Sequence, residues 1–212
     1  MFIPKQSHPF SYKIKSSEFI CYLFELQTQD QASELLQSVK KEHHTANHHC
    51  WAWRWVAFSE DIMNIREHQS DDGEPRGTAG FPILHRLQHH DLVNTLAVVV
   101  RYFGGTKLGK SGLIESYSEA TQSAIVNSQL TRFEAGYELH IRNSYELENL
   151  VKQWLHHQKA PLLSSEYSMH VERKIFVPLE DKAAIEDSLK DWAHTEIECN
   201  WSELKLLASL TS

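Results

Sequence analysis

Apolar residues in the first part of the chain follow two different spacings, which predicts strands interrupted by helices. Residues 12–24 alternate at Phe19, Cys21 and Leu23, so we predict two strands separated at the polar sequence KSSE. A helical spacing of i, i+3, i+4 and i+7 follows at Ala32, Leu35, Leu36 and Val39. The aromatic segment 48–58 predicts another strand. The β-branched run at 96–103 is typical of a buried central strand.

Two more helices are predicted before residue 133. Thr78 is positioned to cap a short helix whose apolar residues are Ile83, Leu84 and Leu87. A longer helix is predicted over residues 111–127, after the turn GGTKLG. Residues 59–77 are mostly polar and are predicted to form a loop.

From residue 134 the pattern begins again with a different order of elements. We predict, in order, a strand, a helix, two strands, a helix and a strand, at 135–142, 145–158, 162–168, 170–178, 180–192 and 195–201. This βαββαβ order is that of the ferredoxin-like unit. The sequence therefore predicts an α+β protein with two domains, residues 1–133 and 134–212, each with helices on one face of a sheet.

Charge is distributed unevenly between the two predicted domains. The formal net charge of −7 comes mainly from residues 134–212, which carry 8 basic and 14 acidic side chains, against 13 and 14 in residues 1–133. A broad basic surface for non-specific nucleic-acid binding is therefore excluded, although a local site is not.

Composition also predicts the cellular environment. The longest apolar run, 96–100, is far too short to span a membrane, and the first ten residues lack the apolar core of a secretory signal. Cys21, Cys50 and Cys199 are odd in number and lie among apolar residues, so we expect reduced thiols in a cytoplasmic protein. The sequence does not determine the oligomeric state.

The segment HHTANHHC, residues 43–50, is rich in possible metal ligands. His44 and His48 would share one face of a helix, as zinc-binding histidines do. The segment instead joins a helix to a strand, and no CxxC pair occurs in the chain to complete a zinc site. We therefore expect no metal and no cofactor.

The segment GGTKLGKS matches the phosphate-binding pattern GxxxxGK[ST] at Gly104, Gly109, Lys110 and Ser111. It lies between a predicted strand and a predicted helix, which is the context of a P-loop. A P-loop enzyme also needs a magnesium-binding Asp after a second apolar strand and several further βα units, and neither is evident. Nucleotide or phosphate-substrate chemistry at this loop is the alternative to a binding function.

The segment SDDGEPRGTAG, residues 70–80, combines charge with backbone freedom. Its glycines permit positive φ and leave backbone N–H groups open, while its carboxylates are suited to pairing with Arg76 and Arg101 or to closing a turn. We expect this loop and the loop after residue 101 to form an anion-binding groove. Its residues would be Asp71, Asp72, Gly73, Glu74, Arg76, Gly77, Thr78, Gly80, Arg101, Tyr102, Phe103, Gly104, Gly105, Lys107, Gly109 and Lys110. The alternative is an ion-paired turn that binds nothing.

Three ordered blocks resemble the YigZ/IMPACT family: HHTANHHCWAWR, SDDGEPRGTAGFPIL and VVVRYFGGTKLGKSGLIESYSEA. The resemblance implies a first domain with the two-layer fold of ribosomal small-subunit proteins and domain IV of elongation factor G. It implies a second domain similar to the C-terminal domain of that factor. This chain departs from the family pattern where Glu115 replaces an arginine that is common in relatives.

The same resemblance implies a function. Eukaryotic members of the family restrain a stress kinase that controls translation initiation. We therefore expect a non-catalytic protein that binds RNA or a ribosome-associated partner. A further alternative is an adaptor whose acidic second domain binds another protein.

Overall fold

The computed structural model describes residues 1–6, 8–59 and 62–208. The chain divides into two compact units, the first comprising 1–57 and 63–132 and the second comprising 58–62 and 133–212. Among the described residues, no helix is both long enough and apolar enough to cross a membrane.

Unit 1 is built on a five-stranded sheet with the order β2-β3-β6-β4-β5. The strands are β2 (Phe10–Ile14), β3 (Ser17–Glu25), β4 (His48–Ser59), β5 (Ile62–Ser70) and β6 (Thr95–Tyr102). The helices are α1 (Gln31–Glu42), α2 (Gly80–His89) and α3 (Gly109–Val126). The central strand β6 runs antiparallel to both of its neighbours, β3 and β4, with Val99 opposite Cys21 and Cys50.

Alternate residues of β6 face two different apolar clusters, because side chains along a strand point to opposite faces. Ala97 and Val99 contact the cluster that includes α2 and α3. Leu96, Val98 and Val100 contact the cluster that includes α1 and the tryptophans of β4. The prediction that unit 1 has helices on only one face of its sheet is therefore wrong. An uninterrupted β-branched strand such as β6 is apolar on both sides, and α1 covers the second side.

The first strand, β1 (Phe2–Gln6), also belongs to unit 1 and was not predicted. It pairs antiparallel with residues 129–132, which form the beginning of β7 (Gln129–Asn143). Backbone hydrogen bonds join Phe2 to Asp91 and Val93. Its sequence, FIPKQ, contains a proline and has no apolar–polar alternation from which a strand could be predicted.

Unit 2 contains the rest of β7 and four further strands, β8 (Leu162–Tyr167), β9 (Val171–Pro178), β10 (Glu198–Trp201) and β11 (Lys205–Ala208). Its helices are α4 (Glu148–Gln158) and α5 (Lys182–Leu189). β7 pairs with β9 on one side and with β10 and β11 on the other, and β9 pairs with β8, all antiparallel. The core is formed by Leu139, Ile141, Val151, Ile175, Val177, Ile185 and Trp192.

One element within the site region differs from the sequence-based expectation. Residues 62–70, predicted as loop, form β5 at the edge of the sheet of unit 1. Most of its side chains are exposed, and Ile62 and Ile65 are 60% and 37% exposed. An edge strand that buries so little has no hydrophobic alternation in its sequence.

Candidate functional site

The first residues after β5 form a turn that is held by the carboxylate of Asp71. Asp71 Oδ1 accepts hydrogen bonds from the backbone N–H groups of Ala79 (3.0 Å) and Gly80 (2.9 Å), and Oδ2 accepts one from Gly77 (2.8 Å). The N–H groups of Ala79 and Gly80 are at the beginning of α2, where backbone donors have no acceptor within the helix. The expected cap, Thr78, is buried, and its hydroxyl donates instead to the carbonyl of Pro75. The amino end of α2 is thus closed by the protein itself.

Asp72 joins the turn to β4 and α1. Its carboxylate accepts a 2.7 Å hydrogen bond from the backbone N–H of His49 and contacts Lys40 Nζ at 3.3 Å. Its carbonyl lies 2.9 Å from His48 Nδ1. Asp72 and the following Gly73 have positive φ, 40° and 89°, and this reversal brings the chain against the His48 ring. Asp72 therefore stabilises the loop.

The carboxylate of Glu74 is the centre of the site. Its Oε1 accepts hydrogen bonds from Arg101 Nη1 at 2.6 Å and from the Tyr117 hydroxyl at 2.8 Å, and His48 Nε2 lies 4.0 Å away. The side chains of Glu74 and Arg101 are 3% and 7% exposed. This ion pair places the loop 70–80 beside the segment that follows β6.

Arg101 is enclosed by two aromatic rings as well as by Glu74. Its guanidinium carbon lies 5.4 Å from the ring centroids of both Phe19 and Phe103. Arg101 thus pairs with a carboxylate of the loop 70–80, as the sequence suggested, and its charge is not open to solvent. As a central-strand residue on the inward face, it can only be accommodated when a carboxylate neutralises it.

Cys50 and Tyr117 extend the buried polar cluster away from solvent. The Cys50 thiol lies 3.3 Å from the Tyr117 hydroxyl and 3.0 Å from the carbonyl of Asp71. Burial raises the pKa of both groups, and the carboxylate of Glu74 raises them further. A protonated, fully buried thiol is a poor nucleophile, so this pair acts as a hydrogen-bonded core element.

Tyr102 and Phe103 leave the end of β6 in different environments. The hydroxyl of Tyr102 bonds to His43 Nδ1 at 2.8 Å, while His43 Nε2 lies 2.6 Å from the hydroxyl of Tyr22. Phe103 is 42% exposed, and its backbone N–H donates to the side-chain oxygen of Asn47. His43, His48 and His49 thus serve as hydrogen-bonding groups around the site.

The glycines of the two loops have two separate roles. A Cβ on Gly80 or Gly104 would lie within 3 Å of the backbone of Ser70 or Ser16, so close packing requires glycine at these positions. Gly77, Gly105 and Gly109 have φ of 77°, 88° and 75° with no atom near the Cβ position. These three provide left-handed backbone in open space.

Positive charge on the two loops is carried by three exposed side chains, Arg76, Lys107 and Lys110. Within residues 1–6, 8–59 and 62–208, none of the three forms an ion pair, whereas Asp71, Asp72 and Glu74 are all occupied by internal partners. The loops therefore present unpaired cations to solvent. Glu115, in the second turn of α3, is also exposed and is the first acidic residue after Lys110 in the chain.

The P-loop pattern at Gly104–Ser111 lies in the wrong fold for a P-loop enzyme. Those enzymes place the preceding strand in a parallel sheet. Here β6 lies between two antiparallel neighbours, and the backbone N–H of Gly104 donates to the Ser17 hydroxyl at 3.1 Å. The match of this segment to the P-loop sequence pattern is therefore coincidental.

Three residues that contribute to this site carry little signal in the sequence: Tyr117, Phe19 and Asn47. Tyr117 lies among the apolar residues of α3. A tyrosine on a buried helix face needs a hydrogen-bond partner, and that requirement is the one signal that pointed towards a polar group beneath α3.

The fold and the site together define an α+β protein with a loop-based site built over a buried Glu–Arg pair. The chain belongs to the IMPACT family: the family model described as the Impact N-terminal domain matches residues 15–125. This match covers most of unit 1 and includes the whole site.

Similar proteins extend the comparison to the rest of the chain. The chain is 30% identical to the IMPACT family member YvyE of Bacillus subtilis (strain 168), over 97% of this chain and 93% of that protein. It is 31% identical to the IMPACT family member YigZ of Escherichia coli (strain K12), over 88% and 90%. A crystal structure described only as that of a hypothetical protein aligns over 100% of this chain and 98% of its own, with 30% identity and a TM-score of 0.56.

Proposed function

We propose that this protein is a non-catalytic binding protein of the translation apparatus, which binds RNA or a ribosome-associated partner through the loops after β5 and β6. The observation that carries the proposal is the separation of charge in unit 1. The loop carboxylates are used internally, and the exposed loop side chains Arg76, Lys107 and Lys110 are positive and unpaired. Phosphate oxygens are the natural partners of such cations.

The contact would use both side chains and backbone. Gly105 and Gly109 keep the segment before α3 open, so that a phosphate can approach its N–H groups without meeting a Cβ. Exposed Phe103 offers a face on which a base of a single strand could stack. With few cations, affinity should be modest and should depend on salt.

The link to translation rests on family membership. The eukaryotic members that the chain resembles act on a kinase that controls translation initiation, and we propose a related regulatory role here. For unit 2, we propose a ferredoxin-like domain of the kind found at the C-terminus of elongation factor G. The strand order β10-β7-β9-β8 and the βαββαβ order of elements from β7 to β10 support that assignment, and β11 is an additional strand beside β7. We also propose a cytoplasmic location, because the proposed partners belong to the translation apparatus.

The direct experiment is equilibrium binding of a fluorescein-labelled oligouridylate, followed by fluorescence anisotropy. Lys107→Gln/Lys110→Gln should bind at least about tenfold more weakly than the wild type, since each lost phosphate contact removes a charge-assisted interaction. The matched control is Lys152→Gln/Lys190→Gln, which removes the same charge from exposed helices of unit 2. Equal affinity for all three folded proteins would reject RNA binding by these loops.

A second experiment separates RNA from a protein partner. Purified protein is sedimented with ribosomal particles at low and moderate salt, with the same variants. Loss of sedimentation in Lys107→Gln/Lys110→Gln, with unchanged sedimentation of the control, supports the proposed surface. If the loop variant sediments normally while free RNA binding is lost, the ribosomal contact lies elsewhere on the chain.

A further inference from the structure

A second candidate site lies on the other face of the sheet of unit 1, between the beginning of α1 and strand β4. It is a cavity of about 230 Å³ lined by Gln29, Asp30, Ala32, Ser33, Leu36, Trp51, Trp53 and Leu96. Trp51 and Trp53 are two residues apart on β4, so their indole rings lie on the same face, and both are only partly buried. The aromatic character of this strand was evident in the sequence but plays no part in the loop site.

The two indole rings are held in place by a third ring from the edge strand. His68 of β5 is exposed and stacks on both tryptophans, with centroid distances of 5.3 Å to Trp51 and 6.0 Å to Trp53 and interplanar angles of 22° and 21°. Both indole rings therefore stack on the same imidazole ring. Stacked aromatic side chains offer fixed contact surfaces at little cost in side-chain entropy.

Charge distinguishes this groove from the loop site. The one charged residue among those lining the cavity is Asp30, which is exposed. In the part of the chain that the structure describes, its carboxylate forms no ion pair and no cap on α1, because Ser33 bonds to its backbone carbonyl instead. On the rim, Arg66 Nη1 lies 3.4 Å from the Gln29 side-chain oxygen, and Glu34 follows in the first turn of α1.

We propose that this groove binds a basic side chain, an arginine or a lysine, presented by a protein partner. A cation gains from the negative face of an indole ring, and tryptophan is the best of the aromatic residues for this purpose. The unpaired carboxylate of Asp30 gives the same cation an electrostatic partner, and the apolar lining by Leu36 and Leu96 accommodates its methylene stem. A nucleic-acid strand is disfavoured here, because none of the described residues that line the cavity is a cation and Arg66, on the rim, is bonded to Gln29.

This contact is independent of RNA binding by the loops. The Glu74–Arg101 pair and Tyr117 lie among the residues of the α2 and α3 face, whereas Trp51 and Trp53 belong to the cluster with α1. A protein could therefore occupy the groove whether or not the loops bind RNA. Failure of either proposal leaves the other unaffected.

The experiment uses the indole N–H signals of the full-length protein labelled with ¹⁵N-tryptophan. Titration with N-acetyl-arginine amide should shift the signals of Trp51 and Trp53 and leave those of Trp154, Trp192 and Trp201, in unit 2, unchanged. N-acetyl-citrulline amide has nearly the same shape without the charge and should produce little shift. Asp30→Asn should weaken binding of the arginine probe by about three- to fivefold, and the control Glu34→Gln by less.

Three results would overturn the proposal. The first is no movement of the Trp51 and Trp53 signals at any soluble concentration of the arginine or lysine probe. The second is equal shifts with arginine and citrulline, which would mean that charge is not recognised. The third is a response of the two indoles to uridine monophosphate but not to arginine, which would assign the groove to nucleic-acid bases instead.

Discussion

Arg101 and Glu74 form a buried ion pair, in which Arg101 Nη1 lies 2.6 Å from Glu74 Oε1 and neither side chain exposes more than 7% of its surface. The pair connects the end of the central strand to the glycine-rich loop 27 residues earlier. Tyr117 donates to the same oxygen and fixes both loops to α3. The shape of the loop surface therefore depends on a group of side chains that solvent does not reach.

Removing one member of this pair should lower the stability of unit 1. We expect Arg101→Leu to lower the free energy of unfolding of unit 1 by about 3 to 5 kcal/mol, since it leaves a buried carboxylate without its counter-charge. Glu74→Leu/Arg101→Leu should lose less than the sum of the two single variants. Urea unfolding followed by circular dichroism measures these differences. Additive losses would show that the two side chains do not interact energetically.

Asp71 is expected to stabilise α2 from outside the helix. Asp71→Ala should lower the free energy of unfolding by about 2 kcal/mol, because three backbone donors lose their acceptor. Asp30→Ala is the matched control, since Asp30 precedes α1 and makes no side-chain cap. Similar effects of the two substitutions on the urea midpoint would contradict the capping role.

The sequence was sufficient to predict the elements with a strong apolar pattern. It was insufficient to predict features that depend on residues distant in the chain. β4, β6 and α3 were confirmed close to their predicted bounds, because the apolar residues that define each element are contiguous or regularly spaced in the chain. The cap on α2 was assigned to Thr78, the nearest suitable residue. The structure uses Asp71 instead, and nothing local to the helix indicates that choice.

The same limitation applies to the site. Charge and glycine content identified the two loops, but they could not show which charges neutralise each other. Arg101 follows a run of five apolar residues on the central strand, and only the three-dimensional arrangement shows that its side chain points inward to Glu74. Lys107 lies before α3 and Lys110 in its first turn, and both side chains are exposed. Arg101 is buried and the two lysines are exposed, and this difference depends on the whole fold.

Glu148 should make the stability of unit 2 sensitive to acid. Burial alone would raise the pKa of its carboxyl, but hydrogen bonds from Arg173, Lys152 and Asn143 outweigh that effect and lower it to about 2. A lowered pKa stabilises the fold above the unfolded value of about 4.5, and the contribution is lost as the pH falls towards 2. Because solvent screens these interactions, the contribution at neutral pH is smaller than the full shift would give, about 1 to 2 kcal/mol.

The test is Glu148→Gln, compared with the exposed control Glu146→Gln, in urea unfolding of unit 2 followed by its amide NMR signals. The difference in unfolding free energy between the wild type and Glu148→Gln should be largest at pH 7. It should shrink between about pH 4.5 and pH 2. A difference that is constant with pH would contradict the proposed ionisation.

The three thiols should differ in reactivity towards N-ethylmaleimide. Burial raises the pKa of Cys21 to about 12 and that of Cys199 to about 11, and it also raises the pKa of Cys50. Cys21 and Cys50 are fully buried, whereas Cys199 is partly exposed. At neutral pH, mass spectrometry should therefore find Cys199 modified first and the others only on unfolding. Early modification of Cys50 would show that the site opens in the native state.

The most direct test of the central claim is the salt dependence of RNA binding. For a single strand, each phosphate contact contributes about 0.7 to the slope of log K against log salt concentration. Lys107→Gln/Lys110→Gln should therefore lower the slope of the wild type by about 1.4, while Lys152→Gln/Lys190→Gln leaves it unchanged. If both double variants are folded and give the wild-type slope, the two loops do not bind RNA, and the charged segment 70–80 serves the fold alone.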